Sequence, residues 1–208
     1  HAENIRVVAH SFVFDFHHPE GIVPAVKTQM PGRHNIENAV AAAALAMHFG
    51  LSADEVKAGI ESFTGVKRRF EYHVKTNHTI YIDDYAHHPR EIEALGRAVK
   101  NLYPEKKITV IFQPHLFSRT RDFMEGFAES LSLFDEVILM DIYPARERPI
   151  AGVHAKALLE LIQAPEKVLL SKSEILEKYQ NAKPEVILTV GAGDIDQLVQ
   201  PLKVALLQ

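Results

Sequence analysis

The feature that most constrains this chain is a regular alternation that begins near Phe70. Short apolar runs stand at residues 80–82 (IYI), 108–112 (ITVIF), 137–140 (VILM), 168–170 (VLL) and 186–190 (VILTV). Between them apolar residues recur at helical spacing: Ile92, Leu95, Val99 and Leu102, then Phe123, Phe127 and Leu131, then stretches over 154–163 and 173–180. Short strands that alternate with helices of about 8–14 residues bury their apolar faces as βαβ units. The expected fold class is therefore α/β, a Rossmann-like, mostly parallel, doubly wound sheet. A last helix carries Ile195, Leu198, Val199, Leu202 and Leu206, with Pro201 kinking or delaying it.

Such sheets bind ligands beyond the carboxyl ends of their strands. The polar clusters fall there: DDYAHH (83–88), QPHLFSRTR (113–121), DIYPARERP (141–149) and GAGD (191–194). Residues 1–66 have another texture. Two β-like pieces, 5–16 and 21–30, precede two helices. The first is expected over about 36–49, capped by Asn35 and ended by Gly50; the second opens with a Ser52–Glu55 capping box and runs to about Phe63. The segment TGVKRRFE (64–71) is the boundary, which divides the chain into 1–66 and 67–208.

The net charge of −4 leaves no basic footprint for nucleic acid. The absence of cysteine excludes disulfides and thiolate metal sites and fits a reducing cytoplasm. The longest apolar stretch, AVAAAALAM (39–47), falls far short of the roughly 20 residues of a membrane span. The polar amino terminus shows no signal-peptide pattern. Because the chain starts at His1 without a methionine, it is expected to be a processed product or a piece of something longer.

Each cluster has a structural and a chemical reading. In DDYAHHP, Asp83 or Asp84 caps a turn beside solvated histidines, or the group faces a ligand. A two-metal hydrolase is a third reading, without a matching carboxylate-rich motif elsewhere. Pro89 suits a first helical position and Glu91 the first turn. In the second cluster His115, Ser118, Arg119 and Arg121 stand between strand and helix. Arginine forks and a helix amino terminus suit a carboxylate or phosphate, unless the arginines pair with acids such as Asp122. The amides of Asn35 and Asn38 carry the donor and acceptor that read an adenine edge, although Asn35 also suits a cap. GAGD lacks the full dinucleotide pattern, and no G-x-x-x-x-G-K-[ST] loop occurs, so an ATP phosphate cradle must lie elsewhere.

Taken together, MPGRHNIENAVAAAALA, GVKRRFE, IDDYAHHPREIEA, FQPHLFSRTRDF, DIYPARERPIAGV and VGAGDI stand in the order and spacing of the Mur ligase family. The resemblance covers nearly the whole chain and is greatest to the branch that joins L-alanine to UDP-N-acetylmuramate. It implies that residues 1–66 end a central ATPase domain and that 67–208 form a Rossmann-like amino-acid-binding domain. The implied reaction is ATP-dependent amide formation through an acyl phosphate, in the cytoplasmic synthesis of cell-wall peptidoglycan precursor. ATP and Mg2+ are the implied cofactors, with the main magnesium ligands and the UDP-sugar domain outside this chain. The remaining ligase domains are its implied partners; no nucleic acid or membrane is.

By the same resemblance His34, Asn35 and Asn38 meet the adenine, Arg69 the ATP phosphates and Asp84 the ribose. Tyr85, His87, His88, His115, Arg119 and Arg121 line the amino-acid pocket, with His88, His115 and Arg119 nearest the chemistry and Arg119 on the substrate carboxylate. Leu116 stands where many members have arginine, which shifts the burden to Arg119 and Arg121. Alternatives are a member that adds a tripeptide to the same sugar and a non-catalytic nucleotide-binding module.

Overall fold

The structure is a computed structural model that describes residues His1–Gln208. The chain forms two compact units, His1–Val66 with Arg97–Pro104, and Lys67–Gly96 with Glu105–Gln208.

The first unit opens with a three-stranded antiparallel sheet, β1 (Ala2–Val8), β2 (Ser11–His18) and β3 (Gly21–Thr28), in the order β1-β2-β3. The expected first piece is in fact two strands. Ala9 and His10 turn the chain with φ of 47° and 57°, the doubly left-handed backbone of the tightest hairpins. Phe12, Phe14 and Phe16 are buried with Val23, Val26, Ile36 and Val56.

Helix α1 (Arg33–His48) begins three residues before its expected start, and Asn35 does not cap it. Gly32 occupies the cap position at φ 101°, a conformation costly for other residues, and Asn35 Nδ2 donates to Pro31 O at 2.7 Å. Helix α2 (Ala53–Ser62) has the expected capping box: Ser52 Oγ accepts from Glu55 N, and Glu55 accepts from Ser52 N.

The second unit is built on six strands. These are β4 (Glu71–Lys75), β5 (Ile80–Asp84), β6 (Ile108–Phe112), β7 (Glu136–Leu139), β8 (Glu166–Leu169) and β9 (Val186–Val190). The order is β4-β5-β9-β6-β7-β8, all parallel except the β4 edge. The connecting helices are α3 (Pro89–Leu102), whose end belongs to the first unit, α4 (Phe117–Asp122), α5 (Met124–Leu131), α6 (Ala155–Leu161) and α7 (Lys172–Asn181). A 3-10 turn (Asp194–Leu198) leads into α8 (Val199–Leu207). Pro201 therefore falls in the first turn of α8, where a missing N–H costs nothing. The sequence pattern did not reveal β4, which buries little beyond Val74.

Alternating strand residues feed two faces. Tyr81, Ile111, Ile138 and Ile187 pack with Ile175 and Tyr179 of α7 and with Ile195, Leu198, Leu202 and Leu206. On the other face Phe112 meets Phe127 of α5, ring centroids 5.4 Å apart. The sheet is thus doubly wound. Because β9 returns between β5 and β6, the winding reverses there, and the loops after these three strands flank the reversal. No helix is long and apolar enough to cross a membrane.

Candidate functional site

The four polar clusters follow β5, β6, β7 and β9 at one edge of the second unit's sheet. Backbone pairing continues past the strand ends: Gly191 N donates to Asp84 O, Gln113 N to Val190 O and Met140 N to Phe112 O. His115 and Tyr143 form a further parallel bridge, with Leu116 N on Tyr143 O at 2.9 Å and Tyr143 N on Pro114 O at 2.8 Å. The loops are therefore rigid extensions of the sheet.

The two aspartates after β5 have different fates. Asp83 is 1% exposed and accepts from Arg68 Nε at 3.0 Å and from Thr189 Oγ1 at 2.7 Å. Asp84 caps the turn: Oδ2 accepts Phe70 N and Oδ1 accepts Ala86 N, both at 2.8 Å. Burial pushes its carboxyl up to about 6, against the lowering pull of those bonds and of Arg69, with Asp83 adding a further push. Glu91 reaches back from the first turn of α3 and accepts His87 N at 2.8 Å and His88 N at 3.1 Å. The His87 ring bonds Tyr85 O, and the His88 ring packs edge-on against Phe123, centroids 4.6 Å apart.

The second cluster holds two buried atoms without a hydrogen-bond partner: His115 Nδ1 and Arg119 Nη1. Such orphans are uncommon in native proteins because each forfeits its hydration; two others, His73 Nε2 and Tyr179 Oη, lie elsewhere in the second unit. Burial lowers the His115 pKa, helped by the charges of Arg119 and His87 and opposed by Glu147, so its imidazole is neutral at neutral pH. The His115 ring stacks on Tyr143, centroids 5.7 Å apart.

Two neighbouring groups of this cluster are already engaged. The amino terminus of α4 is not free for an anion, because Glu147 fills it: Ser118 N donates to Oε2 at 2.8 Å and Ser118 Oγ to Oε1. Arg121 is exposed and its Nε donates to Asp122 Oδ1 at 2.7 Å, so it does not join the orphaned pair. Leu116, at φ 74°, makes the turn into α4.

The glycines of GAGD serve close packing. A Cβ on Gly191, which has φ 146°, would lie 2.8 Å from Gln113 O, and one on Gly193 would lie 2.4 Å from Gln113 Oε1. Gln113 spans the two loops, donating to Asp194 Oδ1 at 2.7 Å and accepting Ile195 N at 2.9 Å. Burial alone would raise the Asp194 carboxyl, but bonds from Lys172 and Gln113 outweigh it and hold it low.

The second unit thus gathers Asp84, Tyr85, His87, His88, His115 and Arg119 along one edge, with exposed Arg69 near Asp84. His34, Asn35 and Asn38 belong to the first unit, in the opening turns of α1, with His34 and Asn38 exposed. Sequence reasoning missed Arg68, Gln113 and Glu147. Their partners are 15 to 123 residues away in the chain, and no local spacing marks such pairs. Two groups bring three potential metal-ligand atoms within 4.8 Å of one another: His1, Glu3 and His17, and Glu71, His73 and Asp83. In the second group Arg68 already bonds both acids, through its backbone N to Glu71 and Nε to Asp83.

UDP-N-acetylmuramate–L-alanine ligase of Christiangramia forsetii is 48% identical over 206 residues, covering 99% of this chain and 46% of the relative. That of Cytophaga hutchinsonii is 54% identical over 179 residues, 86% of this chain and 38% of the relative. The chain spans less than half the length of these relatives. Among solved structures, the UDP-N-acetylmuramate–alanine ligase of Thermotoga maritima superposes with a TM-score of 0.80 at 28% identity, over 97% of this chain and 44% of that one. A murein peptide ligase of Psychrobacter arcticus gives 0.59 at 25% identity, over 99% and 43%. The family described as Mur ligase, glutamate ligase domain, matches residues 68–193, which hold the whole edge from Arg68 to Gly193. The chain belongs to the Mur ligase family.

Proposed function

We propose that this chain is the carboxyl-terminal part of an ATP-dependent ligase that joins L-alanine to the carboxylate of UDP-N-acetylmuramate, in cytoplasmic peptidoglycan precursor synthesis. Residues 1–66 then end its central ATPase domain and 67–208 form its amino-acid-binding domain. One observation carries the reading: Arg119 Nη1 and His115 Nδ1, two buried atoms of half-buried side chains, both lack a hydrogen-bond partner in the loop and helix that follow β6, at the ligand-binding edge of the sheet. An amino acid offers a carboxylate to the first and an ammonium to the second. The names of the similar ligases support the choice of both substrates.

In the proposed reaction the muramoyl carboxylate attacks the γ-phosphate of ATP and ADP leaves. The amine of alanine then attacks the acyl phosphate, phosphate departs, and the amide nitrogen loses a proton. Arg119 holds the alanine carboxylate through Nη1. Neutral His115 takes a proton from the ammonium at Nδ1, which leaves a nucleophilic amine. Tyr85, His87 and His88 wall the pocket against water.

Toward ATP, each Asp84 oxygen keeps a lone pair after its backbone bond, free for a ribose hydroxyl. Exposed Arg69 supplies charge for phosphate, and His34, Asn35 and Asn38 meet the base. Magnesium neutralises phosphate charge when bound. The exposed Leu45 and Phe49 of the first unit suit a face covered by the rest of its domain.

The test is the full-length protein supplied with ATP, magnesium and UDP-N-acetylmuramate. Phosphate release and amide product with free alanine support the reading. Product only with a tripeptide selects the other ligase activity, and nucleotide binding without turnover selects a non-catalytic module.

A further inference from the structure

The segment 67–70, which opens the second unit, contains a side chain that neither the sequence motifs nor the proposed chemistry uses. Arg68 is mostly buried, with its side chain 21% exposed. Its Nε donates to Asp83 Oδ2 at 3.0 Å, and its Nη2 donates to Gly191 O at 2.7 Å. Its guanidinium carbon lies 5.0 Å from the centroid of the Tyr85 ring, within cation–π range. Its own carbonyl accepts Tyr85 N at 2.7 Å. One residue therefore grips the loops after β5 and β9, the two sides of the reversal in the sheet.

The grip is anchored from below. Asp83 is also bonded by Thr189 Oγ1, which lies 3.0 Å from the Tyr81 hydroxyl, and all three side chains are almost wholly buried. The backbone is held in an uncommon shape, with φ of 57° at Arg68 and 50° at Phe70, on either side of Arg69. Strain of this kind persists only where the surroundings impose it, and it gathers at functional sites. Here the bonds of Arg68 O to Tyr85 N and of Phe70 N to Asp84 impose it.

We infer that Arg68 is a positioning residue: anchored on buried Asp83, it locks segments 68–70, 84–88 and 191–194 into one rigid rim that aims Arg69, Asp84 and Tyr85. The inference rests on the proposed function for what the rim meets, ATP and alanine. The rim itself is independent of that reading.

Removing Arg68 alone strands a buried carboxylate and threatens folding. The informative variant is therefore Arg68→Met with Asp83→Asn, which removes both charges, in the full-length protein. Its thermal midpoint is expected to stay near wild type, whereas Arg68→Met alone falls. Hydrogen exchange reads the rim whatever the activity. The Tyr85, Ala86 and Gly191 amides should exchange at least about tenfold faster in the double variant, with the β6 and β7 amides unchanged.

In wild-type protein that forms the alanine amide, the double variant should raise KM for ATP and for alanine by about tenfold or more. KM for UDP-N-acetylmuramate should stay within twofold. Arg68→Lys, which keeps the charge and loses the fork, should fall between. A folded double variant with wild-type exchange at the three amides overturns the inference. So does a fall in turnover with every KM unchanged, since a smaller folded fraction does that alone. A wild-type protein without ligase activity refutes the functional reading instead, and hydrogen exchange still decides the role of Arg68.

Discussion

Replacing Arg119 by methionine tests the amino-acid site through two quantities that move in opposite directions. In the structure Arg119 Nη1 is buried and makes no hydrogen bond, so the protein has already lost its hydration without recompense. An unsatisfied buried group costs about 1–3 kcal/mol, more when charged. Methionine fills similar volume without that cost, so the unfolding free energy should hold or rise, by up to about 2 kcal/mol. A charged hydrogen bond to the substrate carboxylate contributes about 1.5–3 kcal/mol, so its loss should raise KM for alanine by about 10- to 150-fold. The assay follows phosphate release by the full-length protein at saturating ATP and UDP-sugar, with alanine varied, beside urea unfolding of the same variant. Arg121→Met serves as the control, because Arg121 is exposed and paired with Asp122. A KM within twofold of wild type refutes the placement. A marked loss of stability shows that Arg119 braces the fold and does not await a ligand.

Asp84 makes stability depend on pH in an unusual direction. Its folded pKa near 6 lies above the ordinary carboxyl value, so the folded state binds the proton more tightly and its contribution falls as pH rises from about 4 to 6, by up to about 3 kcal/mol. Urea midpoints across that window should show this slope in wild type and lose it in Asp84→Asn; parallel profiles would contradict it. Glu147→Ala should free the start of α4 and loosen Arg119, raising KM for alanine several-fold while leaving KM for ATP unchanged. Equal changes in both constants would count against that role. Gly193→Ala should destabilise by about 1–3 kcal/mol through overpacking against Gln113 and Tyr143, and an unchanged melting temperature would show that the loop yields. Leu202→Ala, fully buried between α8 and the sheet, should cost about 2–5 kcal/mol in urea unfolding, and a loss below 1 would contradict the packing.

The alternation of apolar runs was enough to read the doubly wound sheet, because strand and helix periodicities are local properties of the chain. All five parallel strands and the helices α3, α5, α6 and α7 stand where that pattern puts them, give or take a few residues, whereas α4, too short for a helical repeat of apolar residues, was not read from it. Propensity failed where the cause was not local. Helix α1 starts at Arg33 because Gly32 alone adopts the left-handed cap, and the Ala9–His10 turn splits one apolar run into two strands. Strand β4 is held mainly by pairing to β5, with Val74 its one buried apolar residue.

At the site, the pattern of runs and clusters named the chemical groups that gather beyond the strand ends, since a parallel sheet brings those ends to one edge. It placed Asp84, His88, His115 and Arg119 there. Which of these groups are already satisfied emerged only with the fold. Asp83 is spent on Arg68, Glu147 closes the helix end that seemed open to an anion, and Arg121 turns to Asp122. Two atoms, His115 Nδ1 and Arg119 Nη1, are left without partners. Hydration lost on burial, and the bonds that do or do not replace it, depend on contacts between residues far apart in the chain, and no spacing along the sequence encodes them.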